Sequence, residues 1–301
     1  MDDFRALVTE RLPQLILAAE EPMERHTTFR IGGPAEYYAR PRREELAHLI
    51  KLAGQAGISV TVVGHGSNLL VGDGGIRGLV IEIGEEMSEV RIEGQTLVAS
   101  AGAMLTGIAQ KAAQAALSGL EFAAGIPGNL GGAVVMNAGA YGGEMRDVVE
   151  QVTVLDQDVN AHCLSSGELD FGYRHSCIPE HNYIVVEARL KLEPGDSGEI
   201  RARMAQLARQ RTEKQPLEYP SAGSTFKRPQ GHFAGQLIMD AGLRGYTVGG
   251  AQVSEKHCGF VINRGGATAA DVRQLMCDVA DRVEACFGVR LEPEVKLIGE
   301  F

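Results

Sequence analysis

The chain has 301 residues, of which 44% are hydrophobic, and this is enough for two packed domains or one large one. Its formal net charge is −10, its pI is about 5.4, and it contains no run of Lys or Arg. This composition excludes global disorder, and it argues against nucleic acid or an anionic membrane as the main partner. An anionic ligand must therefore bind in a local basic pocket.

The N-terminal residues, MDDFRALVTERLPQLILAAEE, carry acids where a signal peptide has a basic region, and their apolar run is too short to span a bilayer. We therefore expect a cytoplasmic protein without membrane insertion. The five cysteines are widely spaced and form no CxxC pair, which favours reduced structural thiols over disulfides or zinc ligands. No metal site is expected.

Apolar periodicity and β-branched runs predict helices and strands in alternation through the first two thirds of the chain. The predicted helices are 3–19, 44–56 and 104–116. The predicted strands are 59–64, the end of 69–83, 89–93, 96–100, 147–155 and 182–192. An extended segment, 26–41, is broken at Gly32, Gly33 and Pro34, so the chain opens with a βαβ-like order of elements.

A shift in composition at EPGDSGE predicts a domain boundary near residue 195. Beyond it we expect the helices 199–214, 234–241 and 268–287, and strands near 259–262 and 289–298. The last helix carries a stripe of apolar residues, which is typical of a core-facing helix. These are Val272, Leu275, Met276, Val279 and Val283.

Two glycine-rich stretches, 64–75 and 119–143, indicate backbone that approaches a cofactor closely. The second holds a single charged residue, Glu121, and too many apolar residues for a flexible linker. The chain has no GxxxxGK string, and GHGSNL has Leu69 where a Rossmann fingerprint needs its third glycine. A dinucleotide held by both stretches explains them without a P-loop or a Rossmann turn.

The strings VVGHGSNLLV and GIPGNLGGAVVMNAGAYGGE resemble the FAD-binding half of the vanillyl-alcohol-oxidase-type flavoproteins. The later strings YRHS, SAGSTFKRP, GGAQVSEKHCGFVIN and LEPEVKLIG, in this order, resemble the UDP-N-acetylenolpyruvoylglucosamine reductase family of peptidoglycan precursor synthesis. The short spacing between Arg174 and the next predicted strand resembles the shorter (type II) form of that family.

The resemblance implies an α+β fold in two domains. Residues 1–195 form the FAD-binding domain of the vanillyl-alcohol-oxidase type, with an N-terminal helix and two α+β subdomains. Residues 196–301 form a smaller α+β substrate domain, whose last strand packs back on the N-terminal half. We expect this protein to be a monomer or a weak oligomer.

The resemblance also implies the reaction. NADPH gives a hydride to FAD, and the hydride then passes to the enolpyruvyl ether of a sugar nucleotide, forming UDP-N-acetylmuramate. Hydride addition to the methylene carbon leaves negative charge on the neighbouring carbon and its carboxylate, which needs a partner. Arg174 and a protonated Glu294 suit the carboxylate. The family assigns protonation of the second carbon to the serine that is Ser224 here, eased by nearby cations such as Lys227.

Binding residues are carried over from the matching motifs. The expected cofactor residues are Gly64, Gly66, Ser67, Asn68, Leu69, Gly125, Gly128, Gly131, Asn137, Gly139 and Arg211. The expected substrate residues are Lys214, Lys227 and Arg228. His65 and Tyr141 are left open between a place near the flavin and an ordinary loop role.

Two alternatives remain at this point. One is another FAD-dependent oxidase or dehydrogenase of the same superfamily, which acts on a small alcohol or hydroxy acid. The other is a non-catalytic nucleotide-binding regulator. The strings GSTFKRP and EPEVKLIG argue against the first, and the co-occurrence of Arg174, Ser224 and Glu294 in separate segments argues against the second.

Overall fold

The computed structural model describes residues 3–301, so the first two residues of the predicted FAD-binding domain lie outside the described part. The helices are α1 Asp3–Arg11, α2 Arg43–Gln55, α3 Leu105–Gln114, α4 Leu130–Val135, α5 Ser197–Lys214, α6 Ala234–Asp240 and α7 Ala269–Phe287. The strands up to residue 144 are β1 Leu17–Pro22, β2 Pro34–Ala39, β3 Val60–Val63, β4 Leu69–Val71, β5 Ile76–Glu82, β6 Val90–Glu93, β7 Thr96–Ser100, β8 Leu117–Ser118, β9 Gly139–Ala140 and β10 Gly143–Glu144. The later strands are β11 Val149–Leu155, β12 Ala161–Ser165, β13 Ile184–Lys191, β14 Glu193–Pro194, β15 Ser221–Ser224, β16 Thr247–Val248, β17 Ala251–Val253, β18 Phe260–Asn263 and β19 Lys296–Ile298.

The chain forms two compact units, and both are discontinuous in sequence. The first unit comprises Met1–Ala18, Tyr38–His65 and Leu79–Arg211, and the second comprises Ala19–Tyr37, Gly66–Gly78 and Thr212–Phe301. These units do not coincide with two contiguous domains that meet at residue 195. The domain boundary expected from the sequence stays a prediction.

A five-stranded antiparallel sheet, in the order β12-β11-β13-β7-β6, forms the centre of the first unit. Helix α3 turns five residues of one apolar face inward, and the short α4 packs on β13 and β7. A second sheet has the order β1-β2-β5-β3, and β3 pairs with β5 in parallel from Val60 opposite Leu79. Parallel pairing needs a crossover connection, and here residues 64–75, which contain β4, supply it.

The second unit is built on the antiparallel sheet β15-β18-β17-β16, against which α6 and α7 pack. Helix α7 begins with a capping box, in which the Thr268 hydroxyl accepts from the Asp271 N–H and the Asp271 carboxylate accepts from the Thr268 N–H. It ends at Gly288, which has a left-handed φ of 67°. All five residues of its predicted apolar stripe are buried.

The C-terminal strand returns to a segment from the first third of the sequence. Residues 296–298 of β19 pair in parallel with residues 69–71 of β4, and Glu300 exchanges backbone hydrogen bonds with Gly74 and Gly75. This pairing fixes the glycine-rich loop before β4 relative to the last ten residues of the chain. Of the predicted strand 289–298, only its last three residues are strand.

The predicted helix 3–19 is wrong in its second half, because α1 ends at Arg11 and residues 17–22 form β1. Pro13 has no N–H to continue the helix, and Ile16, placed on the predicted apolar face, is 82% exposed. The other predicted helices are confirmed to within three residues at each end. Among residues 3–301, no helix is both long enough and apolar enough to cross a membrane.

Candidate active site

The loop that follows β3 requires glycine at two positions. A Cβ at Gly64 would lie under 3.0 Å from the Asn129 side chain, and a Cβ at Gly66 would lie under 3.0 Å from the backbone of His26 and Thr27. Gly66 also has a left-handed φ of 66°, and its carbonyl accepts from the Thr28 N–H at 3.3 Å. The loop is therefore held close to the Asn129 side chain at Gly64 and to other backbone at Gly66.

The second glycine-rich stretch is ordered by its own hydrogen bonds. Asn129 is buried, caps α4 and donates from Nδ2 to the Ile83 carbonyl at 2.6 Å. The Gly128 carbonyl accepts from the Leu105 N–H at 2.9 Å, and the Gly131 N–H donates to the Ala101 carbonyl at 2.8 Å. The Gly131 N–H is thus used inside the protein, so the structure gives this glycine a packing role. Contact of Gly128 and Gly131 with a cofactor stays a prediction.

A cavity of about 580 Å³ lies beside these two stretches, within the first unit. His65, Gly84, Gly102, Met104 and Asn129 contribute to its walls, and Arg40 and Lys111 are its basic residues. Arg40 Nε is buried without a hydrogen bond, although a Glu86 oxygen lies 3.2 Å away. Gly84 and residues 102–104 were not expected from the sequence; the signal for 102–104 is a short glycine-containing turn between a buried strand and a helix.

Arg174 occupies a tight turn in the first unit. Gly172 and His175 exchange backbone hydrogen bonds of 3.1 and 3.3 Å across the turn, and Arg174 has a left-handed φ of 54°. Its guanidinium lies 5.2 Å from the Tyr173 ring centroid. A non-glycine residue in this conformation costs about 1–2 kcal/mol, and such strain is concentrated at functional positions.

Asn137 connects this turn to the glycine-rich stretch. Its side chain is fully buried, donating from Nδ2 to the Gly172 carbonyl at 3.0 Å and accepting at Oδ1 from the Arg146 N–H at 2.9 Å. Both polar ends of the side chain are therefore used inside the protein. The cofactor contact expected for Asn137 stays a prediction, and the structure supports a positioning role for its side chain.

Arg211 is half-buried near the end of α5. Burial lowers its pKa, and the hydroxyl of Tyr141 partly opposes this effect. A Cβ at Gly125 would lie 3.2 Å from Arg211 Cδ, so the absence of a side chain at Gly125 leaves room for the arginine. Burial removes water that would otherwise solvate the charged guanidinium. An anionic ligand beside Arg211 would replace that lost solvation and stabilise the charged form.

In the second unit, Ser224 and Glu294 lie on neighbouring backbone segments. Ser224 pairs with Phe260 in the sheet, and the next residue, Thr225, accepts from the Glu294 N–H at 2.8 Å. Asn68 makes two hydrogen bonds beside Glu294. Its Nδ2 donates to the Glu294 carbonyl at 3.1 Å, and its own carbonyl accepts from the Lys296 N–H at 2.9 Å. The structure thus brings together two expected catalytic residues and one expected cofactor residue.

The expected substrate cations have different surroundings. Lys227 forms an ion pair with Glu292 at 3.2 Å, so its charge near Ser224 is partly compensated. The Arg228 guanidinium lies over the Phe233 ring, 3.9 Å from its centroid. Lys214 is exposed at the end of α5. Within residues 3–301, no group of three or more His, Cys, Asp or Glu side chains is arranged to hold a metal ion.

His257 is a residue near Ser224 that the sequence analysis did not single out. Its Nδ1 accepts from the Gly259 N–H at 3.1 Å, and its ring meets the edge of Phe260, the strand partner of Ser224, at 5.1 Å. Burial lowers the pKa of His257, so the neutral ring is favoured. With Nδ1 accepting, the neutral tautomer carries its proton on Nε2.

Comparisons with known proteins cover nearly the whole chain. The chain is 60% identical over 99% of its length, and 99% of the relative's, to a UDP-N-acetylenolpyruvoylglucosamine reductase of Agathobacter rectalis. It is 50% identical to a reductase of the same name from Caldanaerobacter subterraneus, with 98% of this chain and 99% of the relative covered. The chain belongs to the UDP-N-acetylenolpyruvoylglucosamine reductase family. This membership confirms the family resemblance read from the motifs.

Domain models and a solved structure agree with the family assignment. Residues 35–162 match an FAD binding domain, and residues 215–298 match the C-terminal domain of the reductase family. The solved reductase of Thermus caldophilus is 38% identical, with a TM-score of 0.80 over 94% of this chain and 98% of that chain. The protein is therefore an FAD-binding oxidoreductase with the expected α+β fold.

The residues present fit an FAD. The cavity of about 580 Å³ is of the size that holds part of a dinucleotide. Three of its fourteen lining residues are glycines, Gly84, Gly102 and Gly107, and none of these is among the cofactor residues expected from the sequence. Arg40 Nε is buried and makes no hydrogen bond inside the protein, although Glu86 and Glu82 oxygens lie 3.2 and 3.6 Å from it, and Arg211 is a desolvated cation. Anionic phosphate oxygens or the polar edge of a flavin satisfy such donors.

Proposed function

We propose that the protein reduces UDP-N-acetylenolpyruvoylglucosamine to UDP-N-acetylmuramate, with FAD as its cofactor and NADPH as the source of the hydride. The 60% identity to a reductase over 99% of both chains carries this proposal. The adjacency of Ser224 and Glu294 supports it, because two residues that the reaction needs lie on paired backbone segments. The cytoplasmic location expected from the sequence is part of the same proposal.

When bound, the FAD supplies hydride transfer from NADPH to the enolpyruvyl group. The protein's part is to hold the dinucleotide and exclude water. The loop residues Gly64 to Leu69, with Gly125 and Arg211, are proposed to hold it, while Gly139 closes the hairpin that follows Asn137. A loop with glycine at 64 and 66 supports this, because close backbone approach is what a phosphate or ring edge needs.

Charge at the reacting end of the substrate is proposed to be balanced by two residues. Addition of the hydride to the methylene carbon places negative charge on the neighbouring carbon and on its carboxylate. Arg174 offers a planar, permanently charged fork to that carboxylate, and Glu294 in its protonated form donates a hydrogen bond to it. The strained turn of Arg174 supports this role, because a costly left-handed backbone is kept at a position where it fixes the orientation of the side chain.

Ser224 is proposed to give its hydroxyl proton to the second carbon and to recover a proton from solvent. General acid catalysis of this kind contributes about 10²- to 10⁴-fold to a rate. Lys227 is the nearest expected cation in sequence, but its ion pair with Glu292 reduces what it contributes to a developing alkoxide. Lys214, Lys227 and Arg228 are proposed to bind the diphosphate and uridine of the sugar nucleotide.

Half-reactions of the flavin-loaded protein test the proposal. NADPH should bleach the flavin under nitrogen, and the enolpyruvyl sugar nucleotide should restore the colour. Ser224→Ala should keep flavin and the bleaching step, while the recolouring step falls by about 10²-fold or more. Ser221→Ala, on the same strand, is the matched control and should behave like the wild type.

The outcomes separate the candidate functions. Normal recolouring by Ser224→Ala would contradict the proton-donor role. Bleaching by a small alcohol or hydroxy acid would favour another oxidase or dehydrogenase of the superfamily. Protein that takes up no flavin would contradict the proposed role of the glycine-rich loops in holding FAD.

A further inference from the structure

The side-chain amide of Asn137 hydrogen-bonds to two separate segments: the turn that carries Arg174 and the residues after the β9–β10 hairpin. Its Nδ2 donates to the carbonyl of Gly172, which is the first residue of the turn that carries Arg174. Its Oδ1 accepts from the N–H of Arg146, just after the β9–β10 hairpin. Since the side chain is fully buried, both hydrogen bonds are shielded from water.

Asn137, the adjoining β9–β10 hairpin and the Arg174 turn each contain a non-glycine residue with positive φ. Asn137 has φ 41°, Tyr141 at the hairpin has φ 54°, and Arg174 has φ 54°. Asparagine tolerates this conformation, whereas tyrosine and arginine do not favour it. Such backbone persists only where surrounding contacts hold it, so the turn of Arg174 depends on its anchors.

The anchors of the Arg174 turn lie at both of its ends. Asn137 holds the carbonyl of Gly172 before the turn. After the turn, the Ser176 hydroxyl donates to the Val135 carbonyl at 2.8 Å, and the His175 ring lies 3.2 Å from an Asp170 oxygen. Asn137 and Val135 both belong to the glycine-rich stretch, so that stretch sets where the turn lies.

We propose that Asn137 is a positioning residue for Arg174, which fixes the direction of the guanidinium through the Gly172 carbonyl. This inference rests on the proposed function, which gives Arg174 the substrate carboxylate. A guanidinium displaced by about 1 Å loses its alignment with a carboxylate, and misplacement of that size costs on the order of 10²-fold in rate.

Asn137→Gly is the test variant, because glycine accepts the left-handed backbone and removes both side-chain hydrogen bonds. Asn182→Gly is the matched control, because Asn182 is an exposed asparagine with nearly the same backbone, φ 51°. Ser176→Ala removes the anchor on the other side of the turn by a smaller change. If Asn137→Gly does not fold, Ser176→Ala takes its place in every measurement.

The first readout does not depend on substrate. Amide hydrogen exchange over residues 170–177 of the flavin-loaded protein should be about 10-fold faster or more in Asn137→Gly than in wild type. Asn182→Gly should leave this region unchanged. Equal exchange in wild type and Asn137→Gly overturns the inference, whatever reaction the protein catalyses.

The second readout is a double-mutant cycle on the recolouring step. Asn137→Gly should slow this step about 10- to 100-fold while NADPH bleaches the flavin within about threefold of wild type. Adding Asn137→Gly to Arg174→Ala should then change the step no further than about twofold, because the residue acts through Arg174. Additive effects of the two substitutions overturn the positioning role. A wild type that does not recolour counts against the proposed function alone, and hydrogen exchange then decides the inference.

Discussion

Gly66→Ala is the substitution whose effect the structure defines most closely, and Gly57→Ala is its matched control. Both glycines have left-handed backbone, with φ 66° at Gly66 and 69° at Gly57. They differ in what an added Cβ would meet. At Gly57 no heavy atom lies within 4 Å, whereas at Gly66 the backbone of His26 and Thr27 lies under 3.0 Å away.

The two substitutions therefore share one cost and differ in another. Left-handed backbone costs an alanine about 1–2 kcal/mol, and the entropy that alanine removes from the unfolded chain offsets about 0.4–1 kcal/mol of it at both sites. Only Gly66→Ala adds a collision with backbone, which cannot rotate away, and overpacking of this kind costs about 1–3 kcal/mol. We expect Gly66→Ala to be less stable than Gly57→Ala by about 1–3 kcal/mol.

Urea unfolding of both variants at one fixed excess of FAD measures this difference together with the loss of flavin binding, which adds about 1.4 kcal/mol for each tenfold fall in affinity. A fluorescence titration measures flavin affinity, which should fall about 10-fold or more in Gly66→Ala and stay near wild type in Gly57→Ala. Equal unfolding midpoints and equal flavin affinities in the two variants would refute both the collision at Gly66 and the place of this loop in the flavin site.

Three further predictions concern the second unit. Asp73→Ala removes a carboxylate that accepts from the first two N–H groups of α7, at 2.8 and 2.9 Å, and should cost about 1–2 kcal/mol in urea unfolding, while Asp73→Asn should cost less. Burial lowers the pKa of His257 in the folded state, so protonation favours the unfolded chain. Stability should therefore fall as pH drops through about 6.5, and His257→Gln should flatten that slope in unfolding curves at several pH values. Asn68→Ala removes the 3.1 Å hydrogen bond to the Glu294 carbonyl and should lower kcat/KM for the sugar nucleotide about 2- to 10-fold, a larger effect than on the rate of bleaching by NADPH.

Local patterns predicted most of the elements. Two elements could be predicted from a few residues each: β3 from its β-branched run, and α7 from its apolar stripe and the capping box at Thr268. The prediction was wrong at residues 12–19, where apolar spacing suits a helix but Pro13 stops it and sheet pairing then uses the same residues. The edge strand β12 was missed because four of its five residues are exposed and it shows no apolar alternation.

The site was less accessible to local patterns. Ser224 and Glu294 are 70 positions apart and meet only through long-range pairing, so no periodicity relates them. They were named through the family resemblance, and the structure then brought their backbones together. The burial of Asn137 could not be predicted from the sequence either, because an asparagine among glycines gives the same sequence pattern whether its side chain faces a cofactor or the protein interior.

Each glycine-rich stretch combines glycines, which allow close approach to a ligand, with one asparagine, whose side chain hydrogen-bonds to backbone near an expected catalytic residue. In the first unit, Asn137 donates to the main chain of the turn that carries Arg174, and in the second unit, Asn68 donates to the main chain of Glu294. Glycines allow close approach of backbone to a ligand but fix no direction, because they have no side chain to pack or to bond. An asparagine supplies the direction, since its amide donates to a carbonyl that lies 35 positions away in sequence at Asn137 and 226 positions away at Asn68. Substitution of either asparagine should therefore disturb the substrate step more than flavin affinity, and substitution of the neighbouring glycines should do the reverse.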